Sequence, residues 1–195
     1  MLVEGVSLKQ VSSTKLLGFT LDSALTWEEH INHMCEGLGR ASYALKRLAA
    51  TSNAESVKTC YFATVHSRLS YGTELWAQAA DRERVFAMQR RAVRAVAGIA
   101  VDQPTEEWLA KFNIMTVPCI YIYQVAVFVR ENRDHFRYRV NGTGDYNLRH
   151  PQRLCSVAHK LTKSESSVYV AGPTVYNRIP KSVKDANPSQ FLKLN

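Results

Sequence analysis

Apolar residues alternate with polar or small ones at the start of the chain, then switch to a spacing of three and four. From Leu2 to Leu21 the alternation predicts two short strands joined near Ser12-Ser13. Val3, Val6, Leu8 and Val11 suit the first strand, and Leu17, Phe19 and Leu21 alternate along the second. Asp22-Ser23 breaks the pattern. Thr26 then offers a helix N-cap with Glu29 three residues later, the capping-box spacing. Ile31, Met34, Leu38, Ala41, Leu45 and Leu48 follow as one amphipathic stripe. Gly37 and Gly39 either weaken that helix or let another backbone approach it closely.

The same spacing predicts four more helices. The second begins after Ser52-Asn53 and runs through Tyr61, Val65 and Leu69 to about Tyr71, stopped by Gly72. The third spans Arg82 to Val96, capped by Asp81 and ended by Gly98. Pro104 fits the first turn of a fourth helix through Trp108 and Phe112, and Pro118 opens a fifth that ends near Asn132. The fold class expected is mainly α: a helical bundle or array preceded by a short N-terminal β-hairpin, with an irregular basic C-terminal segment. In that segment Gly and Pro punctuate the chain; short strands near Val168-Tyr169-Val170 and a last helix from Pro188 to Leu194 fit the pattern. The aromatics Trp27, Tyr71, Trp76, Trp108, Tyr121 and Tyr123 fall at core spacing, with base stacking as the functional alternative.

An apolar content of 46% in 195 residues excludes disorder as the state of the whole chain. The four cysteines, Cys35, Cys60, Cys119 and Cys155, form no CxxC pair, which points to reduced thiols and an intracellular setting, nuclear or cytoplasmic. The N-terminus has no basic segment followed by an apolar core, and the run from Val117 to Val129 is too short to span a bilayer, so neither secretion nor a membrane partner is expected.

Charge changes the picture more. The formal net charge is +8, which favours a polyanionic partner. Residues 1–50 carry five basic and five acidic side chains, whereas residues 51–100 carry seven against four and residues 151–195 seven against two. On the third helix Arg84, Arg90, Arg91 and Arg94 share one side, and Val85, Phe86, Val93 and Val96 the other. Arginines along one helix face suit a phosphate backbone; the bland counterpart is a solvated surface. His30 and His33 stand one turn apart, with Cys35 pointing away and no fourth ligand spaced to help, so ordinary helix histidines are the simpler reading than zinc. No nucleophile elbow, Gly-rich phosphate loop or neighbouring pair of acids for two Mg²⁺ ions is present, and Asp22 and Asp81 are isolated.

The stretch KLLGFTLDSALTWEEHI, from Lys15 to Ile31, resembles the segment that follows the catalytic palm in reverse transcriptases of non-LTR (LINE-like) retrotransposons. Lys15, Leu17-Gly18, Leu21-Asp22, Leu25, Trp27 and His30-Ile31 carry the match. YALKRL (43–48), HSRLSYGTELW (66–76), MQRRAVRAVAGI (88–99), FNIMTVPCIYIYQVAVFV (112–129), YNLRH (146–150) and GPTVYNRIPKSVK (172–184) resemble successive segments of the same region, in order. Leu17 stands where the family often has an aromatic, Phe19 where Val is common and Leu148 where Thr is common.

The resemblance implies three parts. Residues 1–22 would be the palm-edge hairpin, with Leu17, Gly18 and Phe19 at the primer grip. Residues 23–139 would be the thumb, and residues 140–195 a basic C-terminal extension. It implies nucleic-acid contacts at Arg84, Arg90, Arg91, Arg94, Lys181 and Lys184, and a template–primer duplex of RNA and DNA as partner. The upstream palm and fingers of the same polyprotein, with the Mg²⁺-binding aspartates, would lie outside this chain. The chain would therefore hold no cofactor or catalytic residue of its own and be inactive alone as an RNA-directed DNA polymerase. The alternative is a non-enzymatic helical module for protein interaction or assembly, a domesticated remnant whose open hairpin edge meets a partner.

Overall fold

The computed structural model of the chain describes residues 2–3, 6–7, 10–136, 153–156 and 158–184. The fold is mainly α-helical with short β-hairpins at its start, as the hydrophobic pattern predicts. YNLRH at 146–150 and the helix expected from Pro188 to Leu194 lie outside the described residues.

Two separate hairpins form, not one strand pair. β1 (Leu2–Val3) pairs with β2 (Val6–Ser7), and β3 (Ser13–Leu16) with β4 (Phe19–Asp22). Leu16 faces Phe19 across the second pair, so Leu17 and Gly18 alone make the connection. Both residues have positive φ, 49° and 83°. That is the pattern of a type I′ turn, whose twist matches the flanking strands. The junction expected at Ser12-Ser13 therefore falls at Leu17-Gly18, where a glycine meets the backbone requirement that two serines do not.

α1 (Glu28–Ala49) follows β4. Its N-cap is Trp27 in the left-handed region, not Thr26. Asp22 displaces Thr26 because β4 ends by placing its carboxylate over the turn. That carboxylate accepts from the backbone N–H groups of Ala24, Thr26 and Trp27 and from the Thr26 hydroxyl, all at 2.9–3.0 Å. Bonds from Thr26 foremost hold the Asp22 carboxyl below its ordinary value.

α2 (Ala54–Tyr61), a π-type turn (Phe62–His66) and α3 (Ser67–Ser70) together make the second helix, ending before Gly72 at φ 57°. Asn53 caps it, accepting from the Ser56 N–H. A short α4 (Thr73–Trp76) follows, where the hydrophobic spacing predicts only a stop. α5 (Arg82–Ala97) ends at Gly98 in the left-handed conformation. Asp81 occupies its N-cap position as expected, but its side chain makes no capping hydrogen bond and its carboxylate pairs with Arg84 instead. α6 (Glu106–Phe112) begins two residues after Pro104, and α7 (Val117–Glu131) has Thr116 as its N-cap and Pro118 in its first turn. A 3-10 turn (Arg133–His135) and helices α8 (Thr162–Glu165), α9 (Val168–Arg178) and α10 (Lys181–Lys184) complete the described chain.

The strand expected at Val168-Tyr169-Val170 is helix instead. Ser167 caps it through the Tyr169 N–H. Val168, Gly172 and Tyr176, spaced by four, then fall on one face of α9, where Val168 and Tyr176 join a core with Val125, Ala126 and Val129 of α7. Burial of that face overrides the β preference of the valines.

The chain divides into two compact units. The first comprises Met1–Arg68 and Ala79–Gln103, the second Leu69–Gln78 and Pro104–Asn195. In the first, α1 packs against α5, with α2 against both. Ile31, Leu38, Leu45, Val57, Tyr61, Val65, Val85 and Val93 form the interior. The Met88 methyl reaches over Gly39, while Cys35 feels the charges of Arg84 and Asp81, so α1 and α5 run in the same direction. In the second unit, Trp76 is fully enclosed, and α7 carries both α4 and α9. Of the six aromatics expected in the core only Trp76 is completely buried; Tyr71 is exposed, and the others are half-buried.

Candidate nucleic-acid interface

The roll of α5 is set by what it buries. Val85, Gln89, Ala92, Val93 and Val96 face inward. With those fixed, Arg84, Ala87, Arg91 and Arg94 must lie on the outer side, within about 80° of one another and along about 15 Å of helix axis. Arg84 and Arg91 are exposed, and Arg90 and Arg94 half-buried. Ala87, also exposed, leaves the middle of this face low, so a flat polyanion can come close to the helix.

The four arginines differ in what holds them. The Arg84 guanidinium lies 3.7 Å from the Asp81 carboxylate, a half-exposed pair that contributes little stability. Arg94 donates from Nε to the Gln103 carbonyl at 2.9 Å, which ties the turn after α5 back to the helix. Arg90 lies over the Phe86 ring at 4.5 Å. It sits at the flank, and stacking directs it along the surface rather than outward. Arg91 projects at the centre.

The other expected site residues lie elsewhere. Leu17 is 77% exposed at the hairpin tip, beside exposed Leu16. Phe19 turns inward, its ring 6.0 Å from Trp27 and 5.4 Å from His30. Thus the Leu17-Gly18-Phe19 triplet presents a leucine and a bare backbone, with its aromatic used as an anchor. Lys181 is exposed on α10 of the second unit. Lys184 stands 4.9 Å from the centre of the Tyr176 ring and donates to the Asn177 carbonyl. Arg133 donates to the Tyr176 hydroxyl at 2.7 Å.

No family model, curated protein or solved structure matches this chain. Among the described residues no three His, Cys, Asp or Glu side chains gather to hold a metal, and the four cysteines are free thiols. Among the described residues no single helix is long and apolar enough to cross a membrane. α6 and α7 pass that test only as a pair bent by 46°.

Two features escape the sequence pattern. Asp22, isolated in sequence, organises the turn into α1; an Asp followed by small residues and Thr is an Asx-turn signal that points to it. His30 and His33, one turn apart on α1, both reach Thr20 of β4. Only the packing of β4 on α1 brings them there.

Proposed function

We propose that the chain binds a nucleic-acid duplex through its phosphate backbone, as the primer-grip and thumb part of a non-LTR retrotransposon reverse transcriptase. The observation that carries this reading is the outer face of α5. Its arginines are held opposite a buried apolar face, so they stay turned outward without any cost to the core. Each phosphate contact releases counterions and carries no base identity, which suits a clamp that follows any sequence. Leu17 and Gly18 would meet the strand end at the hairpin tip; Lys181 and Lys184, on the second unit, are phosphate-contact candidates of that unit by itself. The chain contributes binding, and nucleotidyl transfer belongs to Mg²⁺-holding carboxylates of the polymerase palm.

The test is binding of a fluorescent RNA–DNA hybrid duplex across a salt series. Wild-type affinity falls steeply with salt. In the variant Arg84→Ala/Arg91→Ala/Arg94→Ala the log–log slope becomes shallower by about three, close to one per lost phosphate contact. An unchanged slope in that variant overturns the reading.

A second reading has its own observation. Leu16, Leu17 and Leu25 are all exposed around the hairpin and its exit, an apolar surface that suits a protein partner. No duplex binding even at low salt favours this reading over the first.

A further inference from the structure

β4 is fastened to α1 by the Phe19 ring, which packs on Trp27 and His30, and by the polar contacts of Thr20. Thr20 is buried, its backbone N–H lies 3.5 Å from Nδ1 of His30, and its hydroxyl lies 3.3 Å from Nδ1 of His33. The rings of Phe19 and Trp27 close over His30 at 5.4 and 5.8 Å. An imidazole nitrogen accepts a hydrogen bond only while it carries no proton. The bond from Thr20 therefore requires His30 neutral, with its proton on Nε2. A protonated His30 would turn an N–H against the Thr20 N–H, at a buried position where the charge loses its water.

We propose that His30 and His33 form a pH-operated latch, in which protonation of His30 breaks its bond to the Thr20 N–H and releases the β3–β4 hairpin from the start of α1. Lys15 of β3 pairs opposite Thr20, Asp22 ends β4, and Glu28, Glu29 and His33 share the first turns of α1. Arg84 of α5 and Asp81 just before it act on Cys35, more than a turn further along. His33 acts electrostatically on His30, and a charged His33 opposes a charge there. Burial, the larger effect, pushes in the same direction and holds His30 below its ordinary 6.5. Closed, the latch binds fewer protons than open, so opening is favoured as pH falls through and below that value. Loss of one strand's anchor leaves the packing of α1 on α5 intact.

The experiment is hydrogen exchange of single amides by NMR, expressed as protection factors. Between about pH 7.5 and about pH 5 the Thr20 amide of the wild type loses protection severalfold, while Val93 in α5 keeps its own. His30→Asn, which retains an acceptor at the Nδ1 position and does not titrate here, makes Thr20 protection independent of pH. His33→Asn removes the opposing charge and moves the midpoint of opening to higher pH, which serves if the His30 variant does not fold. Three results overturn the proposal: constant Thr20 protection in the wild type, simultaneous loss at Val93, or a midpoint in His33→Asn that stays or falls.

Discussion

Tyr61 and Gln89 show how one buried polar pair specifies the first unit. Both side chains are fully enclosed, and Gln89 donates from Nε2 to the Tyr61 hydroxyl at 3.1 Å. Burial pushes the phenol up to about 12, so it stays neutral across the working range. Tyr61→Phe takes one partner from a buried amide and is expected to cost about 1–2 kcal/mol, whereas Tyr61→Phe with Gln89→Leu removes both ends and recovers most of it. Urea unfolding of the parent, Tyr61→Phe, Gln89→Leu and the double variant checks this; a double variant as unstable as the sum of its singles would sink it. The pair was only half legible. Gln89 falls on the apolar side of α5 by helical spacing, which marks it as a buried polar residue. Its partner, 28 positions earlier, is reached only by folding.

At the scale of the element, two glycines carry opposite expectations. Gly39 sits where α1 meets α5. A Cβ there would lie 3.4 Å from the Met88 Cε, the tip of a flexible side chain. Gly39→Ala should therefore raise stability by about 0.5–1 kcal/mol through helix propensity. Gly172 sits where α9 meets α7, and a Cβ there would lie 2.8 Å from Val129 Cγ2 with the Phe136 ring behind it. Gly172→Ala should lower stability by about 1–3 kcal/mol, because a packed β-branched residue has nowhere to go. Thermal unfolding measures both, and a stabilised Gly172→Ala would refute the close fit of α7 and α9. The long helices were legible because burial repeats at the helical period along each of them. α9 was not: its valines, glycine and proline read locally as strand and turn, and the face that makes it a helix has meaning only beside α7.

For the whole molecule, protons and charge act together. His66 lies on the π-type turn of the second helix, 5.2 Å from the Phe62 ring, and burial lowers its proton affinity. Its Nδ1 is enclosed with no hydrogen-bond partner among the described residues. Unfolding exposes an imidazole that binds a proton the folded one refuses, so stability falls as pH drops below the ordinary 6.5. The melting temperature is expected to be lower at about pH 5 than at about pH 7, and His66→Leu to shrink that difference. An equal difference in the variant would assign the pH dependence to other groups. The net charge of +8 adds self-repulsion that grows in acid and is relieved by salt, so the comparison belongs at one ionic strength.

Period and sign are local properties, and the chain alone determined what depends on them. These are the helical class, the positions of the long helices, the β character of the first residues and the arginine side of α5. Contact between distant residues is not local, and only tertiary structure decided it. Folding made Asp22 the organiser of the entry to α1, joined Tyr61 to Gln89, turned 168–178 into helix against α7, and brought two histidines to one threonine. The physical reason is that a repeat along the backbone states which face of an element is apolar. The partner that covers that face is chosen by the packing of the whole.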